Sequence, residues 1–79
     1  MKIFQSGAQI EVPGQIKYDF VGSTHVYIGE ALPGAGVDDP SWVIKKVSFD
    51  GSGNPSSTQW AAEGAATCQW SQRAGYTYS

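Results

Sequence analysis

The sequence is poor in the residues that usually stabilise or activate a small protein. Its 79 residues include one cysteine and one histidine. A single cysteine cannot form a disulfide within the chain, and this pair cannot supply a two-histidine or multi-cysteine metal site. We therefore expect no metal and no other cofactor.

Long apolar runs and basic runs are also missing. No segment approaches the ~18 apolar residues that a membrane span requires, and the first residues lack the apolar stretch of a secretory signal. The net charge is −2, and the longest basic run is Lys45-Lys46. Because nucleic-acid binding relies on clustered positive charge, we expect neither a nucleic acid nor a membrane as partner.

Leucine is nearly absent, and other apolar residues replace it. One leucine stands against eleven valines and isoleucines, beside three tryptophans, four tyrosines and three phenylalanines. These residues, with ten glycines and four prolines, favour short strands joined by tight turns. A chain of this length buries only about 60% of its unfolded surface. With disulfides and metals excluded, we expect support from self-association or from docking on a larger partner.

The clearest alternation lies in residues 15–21. One apolar set alternates with one charged set: Ile16, Tyr18 and Phe20 against Lys17 and Asp19. The pattern predicts a half-buried antiparallel strand. The break at Gly22-Ser23 predicts that residues 24–31 return as a hairpin, with Val26 and Ile28 pointing inward and Tyr27 on the opposite face.

Residues 42–49 form the longest β-branched and aromatic run, and we interpret them as the central strand. Trp42 and Ile44 share one face, whereas Val47 and Phe49 share the other. Either a bulge at Lys45-Lys46 swaps the faces, or the strand has apolar neighbours on both sides. In so short a chain, the second alternative calls for a partner subunit.

The remaining segments complete an all-β prediction. Residues 32–40 are expected to form a surface loop, residues 57–61 to pair with the central strand through Trp60, and Tyr76 and Tyr78 to lie in a final strand. A helical turn over residues 61–66 is the alternative for that segment. We predict one domain over residues 1–79, with residues 1–14 as an edge strand or arm. The expected fold is a small antiparallel β-sandwich or barrel of six to eight short strands, completed by oligomerisation.

No catalytic constellation emerges from the spacing, so we expect a protein that is not an enzyme. His25 lacks a nucleophile and an orienting group in the pattern around it, and Cys68 is interpreted as a small buried apolar residue. The aromatic residues are the only set with an open functional meaning. We expect a protein interface or a glycan contact at five residues: Trp42, Trp70, Arg73, Tyr76 and Tyr78. At least two of the three tryptophans are also expected to fill the core.

Three segments resemble a group of small proteins encoded among the virion structural genes of tailed bacteriophages. Tyr27–Gly34 is similar to that group's Y-[IV]-G-x-A-x-P-G motif, and Trp42–Val47 to its W-x-I-[KR]-[KR]-[IV] strand. The closing pattern W-A, W-x-x-R-A and T-Y-S resembles three segments here: Trp60-Ala61, Trp70–Ala74 and Thr77–Ser79. The similarity covers two-thirds of the chain. The spacing between the last two tryptophans differs from that of the group, and residues 1–26 have no counterpart in it.

The resemblance implies a non-enzymatic component of a phage particle. Its expected location is the virion, assembled in the host cytoplasm, on the tail and its fibres or as a capsid decoration. The expected partners are other virion proteins and further copies of the chain. The alternative function is a carbohydrate-binding module that recognises a host-surface glycan.

Overall fold

The computed structural model describes residues 14–79, and these residues form one open antiparallel sheet. Its strands are β1 (Gln15–Val21), β2 (His25–Ala31), β3 (Val43–Phe49) and β4 (Pro55–Trp60). They lie side by side in the order β1-β2-β3-β4, so each pairs with its neighbour in the sequence. Two short 3-10 helices follow, at Ala62–Gly64 and Trp70–Gly75.

Local turn chemistry closes the hairpins. Gly22 has a φ of 57°, a conformation that glycine adopts without a steric penalty, and the Thr24 hydroxyl donates to the Val21 carbonyl at 2.9 Å. After β3, the Asp50 carboxylate accepts hydrogen bonds from the backbone N–H groups of Ser52 and Asn54, at 2.9 and 3.0 Å. The side chain of Asp50 thereby holds the chain in the turn that leads into β4.

The strand pairing decides between the two alternatives for the central strand, a bulge at Lys45-Lys46 or apolar neighbours on both sides. Pairing with β2 runs without interruption from Glu30↔Val43 to His25↔Ser48, and the only irregularity with β4 lies between Ser48 and Phe49. The alternative of a bulge at Lys45-Lys46 is therefore wrong, and β3 carries apolar side chains on both faces.

The register divides the sheet into two faces. The covered face lies beneath the C-terminal segment and includes these sheet residues: Lys17, Asp19, Tyr27, Gly29, Ile44, Lys46 and Gln59. The open face carries the residues of opposite parity: Ile16, Tyr18, Phe20, Val26, Ile28, Glu30, Val43, Lys45, Val47, Thr58 and Trp60.

The prediction that Tyr27 points away from the core is wrong, because this ring is buried on the covered face. Val26 is also buried, but on the open face.

The core lies between the covered face and residues 61–79. One cluster contains the buried side chains of Tyr27, Trp42, Ile44, Ala61, Cys68 and Trp70. The C-terminal segment is fixed at two points by backbone pairs, since Trp42 exchanges hydrogen bonds with Cys68 at 2.9 and 3.1 Å, and Trp60 with Ser79 at 3.0 and 3.1 Å. The segment therefore lies across the sheet as a second layer.

The structure confirms one part of the predicted fold and corrects the rest. An all-β character is confirmed, but residues 14–79 contain four strands in one open sheet, and neither six to eight strands nor a closed barrel. The predicted final strand is reduced to an isolated bridge between Ala61 and Tyr78, and the helical turn over residues 61–66 appears as the 3-10 helix Ala62–Gly64. The arm predicted for residues 1–14 lies, apart from Gly14, outside the described residues.

Gly29 allows the two layers to come into close contact. A Cβ atom at this position would lie 2.5 Å from Cε3 of Trp70 and 3.1 Å from Cε3 of Trp42. Both indole rings thus pack directly on the backbone of β2, at a distance that only glycine allows.

We expect Gly29→Ala to destabilise the fold by roughly 1–3 kcal/mol, because the added methyl group forces both buried rings to move. Urea denaturation followed by tryptophan fluorescence measures the change. Gly51→Ala is the matched control, since a Cβ there meets no atom within 4 Å. Equal stability of the two variants would show that Gly29 has no special packing role.

Candidate functional site

The two tryptophans selected from the sequence lie in the core. Trp42 is 0% exposed and Trp70 is 6% exposed. Their ring centroids lie 5.8 Å apart at an angle of 36°, and Nε1 of Trp42 donates to the Gly36 carbonyl at 2.9 Å. The expectation that at least two of the three tryptophans fill the core is confirmed.

Arg73 connects the C-terminal 3-10 helix to the first strand. Its Nε lies 2.9 Å from Oδ2 of Asp19, its Nη1 donates to the Trp70 carbonyl at 3.0 Å, and its guanidinium carbon lies 4.6 Å from the Trp70 ring centroid. The guanidinium therefore combines an ion pair with a cation–π contact. Arg73 holds the second layer against the edge strand β1.

Tyr76 and Tyr78 use their hydroxyl groups within the chain. The Tyr76 hydroxyl accepts a hydrogen bond from the Gln69 backbone N–H at 2.7 Å, and the Tyr78 hydroxyl donates to the Arg73 carbonyl at 2.6 Å. Tyr78 also packs 5.6 Å from the Tyr27 ring, with Nζ of Lys46 5.3 Å from its own ring centroid. Burial, reinforced by the neighbouring Tyr27, raises the pKa of Tyr78 above its usual range.

The five residues selected from the sequence are thus brought together on the covered face. Their buried atoms and internal hydrogen bonds stabilise the packing of the second layer on the sheet. A role for them in contacting a partner stays a prediction. The surface that exposes apolar side chains to solvent lies on the other side of the sheet.

Large apolar side chains of the open face are exposed. The exposed fractions are 49% for Ile16, 60% for Tyr18, 65% for Phe20 and 40% for Trp60. Tyr18 and Phe20 are neighbours along one side of β1, whereas Trp60 lies at the opposite edge of the sheet on β4. The aromatic rings therefore lie at the two edges of the open face. Between them, the open-face side chains of the central strands are buried or half-buried, apart from the exposed Glu30.

The first strand is an exception to the usual rule that the apolar side of a half-buried strand faces the core. Its alternation is confirmed, but the charged side, with Lys17 and Asp19, faces the second layer, and the apolar side is exposed. The register with β2 gives the physical reason: Lys17 and Asp19 lie opposite Gly29 and Tyr27, which are beneath the second layer, so the apolar side of β1 faces the other way. Asp19 then forms its ion pair with Arg73 of the C-terminal segment. Sequence reasoning found the two sides of β1 but did not identify Tyr18 and Phe20 as surface residues.

The open face carries one charge of each sign on the central strands. Glu30 on β2 and Lys45 on β3 help to line a shallow concavity with Ile28, Val43 and Trp60. Within residues 14–79, the one ion pair is that of Arg73 with Asp19, so Glu30 and Lys45 form no ion pair there. These two charges are therefore available to pair with groups outside that part of the chain.

The two residues considered for catalysis, His25 and Cys68, are packed against other residues of the fold. Nδ1 of His25 lies 3.0 Å from the Thr24 hydroxyl, and its ring meets the Tyr27 ring edge-on at 5.0 Å. Cys68 is buried, which confirms its interpretation as a small core residue. Residues 14–79 contain no cluster of three or more potential metal ligands and no helix that is long and apolar enough to cross a bilayer.

Comparisons of this chain with protein-family models, curated proteins and solved structures find no match.

We expect the free energy of unfolding of Tyr78→Phe to decrease less steeply at alkaline pH than that of the wild type. The unfolded chain ionises this phenol near a pH of about 10, whereas the raised pKa keeps it protonated in the folded chain. The free energy of unfolding of the wild type should consequently fall as the pH rises past about 10, by up to ~1.4 kcal/mol per pH unit from this group.

Urea denaturation at neutral pH and at steps above a pH of about 10 tests this expectation. The neutral value isolates the lost hydrogen bond to Arg73. If the difference between wild type and variant stays constant with pH, burial of Tyr78 does not control its ionisation.

Proposed function

We propose that this chain is a non-enzymatic structural protein of a tailed bacteriophage virion, a small β module that assembles on the tail and fibre apparatus or on the capsid exterior. Its partners are other virion proteins and further copies of itself. The observation that carries the proposal is the open face, an apolar side of a four-stranded sheet exposed on a chain of 79 residues.

The exposure of this face supports an assembly function. Soluble monomers rarely expose a continuous apolar patch larger than a few hundred Å², and larger patches mark interaction sites. Here the exposed side chains of Ile16, Tyr18 and Phe20 lie side by side on β1, and that of Trp60 lies on the same sheet face at the opposite edge. Exposed aromatic anchors around a flat surface are typical of protein interfaces.

The covered face supports the same function in a different way. The ion pair of Arg73 with Asp19 and the hydrogen bond from Tyr78 to the Arg73 carbonyl tie the second layer to the sheet. A sheet supported along one side can present its other side with little rearrangement on binding. The virion setting itself comes from the sequence resemblance of residues 27–79 to phage structural proteins.

We expect this chain to be present in purified particles of the phage that encodes it. Quantitative mass spectrometry gives its copy number relative to the major capsid protein. A ratio near one supports a capsid decoration or a tail-tube component, and a ratio of a few per hundred supports the tail, neck or fibre attachment. Absence from particles that contain all other structural proteins would overturn the proposal.

A second candidate function is glycan binding, and one observation favours it. Tyr18 and Phe20 are 60% and 65% exposed and lie on the same side of β1, where two neighbouring rings can stack on sugar rings. This candidate uses the open face and not the tryptophans selected from the sequence.

If the chain binds glycans, isothermal titration calorimetry with bacterial surface polysaccharides should detect binding to the wild type. Tyr18→Ala with Phe20→Ala should weaken the binding by about tenfold or more. Trp60→Phe is the control, since Trp60 lies at the opposite edge of the sheet. No binding with any polysaccharide of the panel would eliminate this candidate.

A further inference from the structure

The open face can pack against a second sheet. It is one side of a four-stranded sheet, and two such sheets pack face to face about 10 Å apart when their apolar side chains interdigitate. The covered face already has its second layer, so this side alone is available for sheet packing within residues 14–79. A second open face would bury the exposed rings of Tyr18, Phe20 and Trp60.

The open face is self-complementary in charge. Glu30 and Lys45 lie on adjacent central strands, where Glu30 pairs with Val43, and Lys45 lies opposite Ile28. A two-fold axis between the sheets, passing midway between Glu30 and Lys45, places each glutamate over the other copy's lysine. The same operation forms this ion pair twice, as an isologous interface requires.

We propose that the open face packs against the open face of a second copy of this chain, and that Glu30 pairs with Lys45 of the partner subunit. The product is a two-sheet sandwich with the two C-terminal layers outside. The inference deepens the proposed function, on which it rests for its biological setting, because the dimer is then the unit that assembles on the particle.

The available area is close to that of a small specific contact. Four strands about 4.8 Å apart, each about seven residues long, give a projected area of roughly 450 Å² per copy, or about 900 Å² for two copies. This figure lies just below the limit of about 1,000–1,200 Å² at which specific interfaces begin, and the protruding rings of Tyr18, Phe20 and Trp60 add to it.

The charges set the orientation of the two copies. Apolar contact alone would allow the sheets to slide or rotate, because flat apolar surfaces fit in several registers. Each Glu30 that misses its partner loses solvation without gaining a counter-charge. The reciprocal pairs therefore select one arrangement among the apolar ones.

Sedimentation of the full-length chain across the micromolar range tests the proposal. We expect a mass of twice the 8.4 kDa chain. Phe20→Ser should raise the dissociation constant of the dimer by about tenfold or more, because it removes an exposed aromatic anchor from each copy. Val37→Ser is the matched control, since Val37 lies in the loop that contacts Ser71, away from the open face. A single species of 8.4 kDa at every concentration overturns the proposal.

Charge reversal tests the orientation. Glu30→Lys alone and Lys45→Glu alone should each weaken the dimer by about tenfold, since each places like charges together twice. The variant that combines Glu30→Lys with Lys45→Glu should restore the wild-type affinity. Glu63→Lys, at an exposed position in the first 3-10 helix, controls for the change in net charge. A dimer that none of these variants affects would be joined at another surface, and this outcome contradicts the face-to-face arrangement.

The outcomes separate this inference from the proposed function. A chain that is monomeric in solution but present in purified particles contradicts the dimer and leaves the virion function standing. A dimer that is weakened and rescued as described, but is absent from particles, contradicts the virion function alone.

Discussion

The structure depends on the close contact of two indole rings with the backbone of one strand. Trp42 and Trp70 pack on Gly29, where a Cβ atom would overlap the Trp70 ring. Burying each indole removes roughly 200 Å² from water, which corresponds to an upper limit of about 5 kcal/mol per ring. In a chain with one leucine, these two rings supply a large share of the hydrophobic stabilisation. The second layer lies where it does because the rings require a glycine beneath them.

The polar ends of the aromatic side chains allow an irregular segment to form that layer. Residues 61–79 contain only short 3-10 turns and isolated bridges, so many of their backbone groups have no ladder partner. Side chains satisfy part of this requirement: the Tyr78 hydroxyl donates to the Arg73 carbonyl, and Nη1 of Arg73 donates to the Trp70 carbonyl. Each contact combines burial of an apolar ring or stem with a hydrogen bond to a backbone carbonyl. Tyrosine and arginine thus replace part of the hydrogen bonding that a regular strand or helix would supply.

A chain of this size can cover one face of its sheet from its last nineteen residues, and the described residues cover only that face. The consequence is a strong asymmetry between a supported side and an apolar side with one acidic and one basic residue. The proposed assembly and the proposed dimer both follow from this asymmetry. Any partner that buries the open face completes a sandwich of which the chain supplies one sheet and its outer layer.

The sequence by itself determined the local elements. The hairpins and the central strand could be predicted from three local patterns: the alternation in residues 15–21, the breaks at Gly22-Ser23 and Asp50-Gly51, and the β-branched run of residues 42–49. These patterns were enough because strand formation and tight turns depend on neighbouring residues. The two-sided apolar character of β3 was also visible, and the register confirms it. Only the tertiary structure decided which face of the sheet the C-terminal residues cover. Alternation has the same period for either face, and the choice is made by contacts between distant residues, Trp70 with Gly29 and Arg73 with Asp19. For that reason the tryptophans selected from the sequence proved to lie in the core, and Tyr18 and Phe20 proved to lie on the exposed surface.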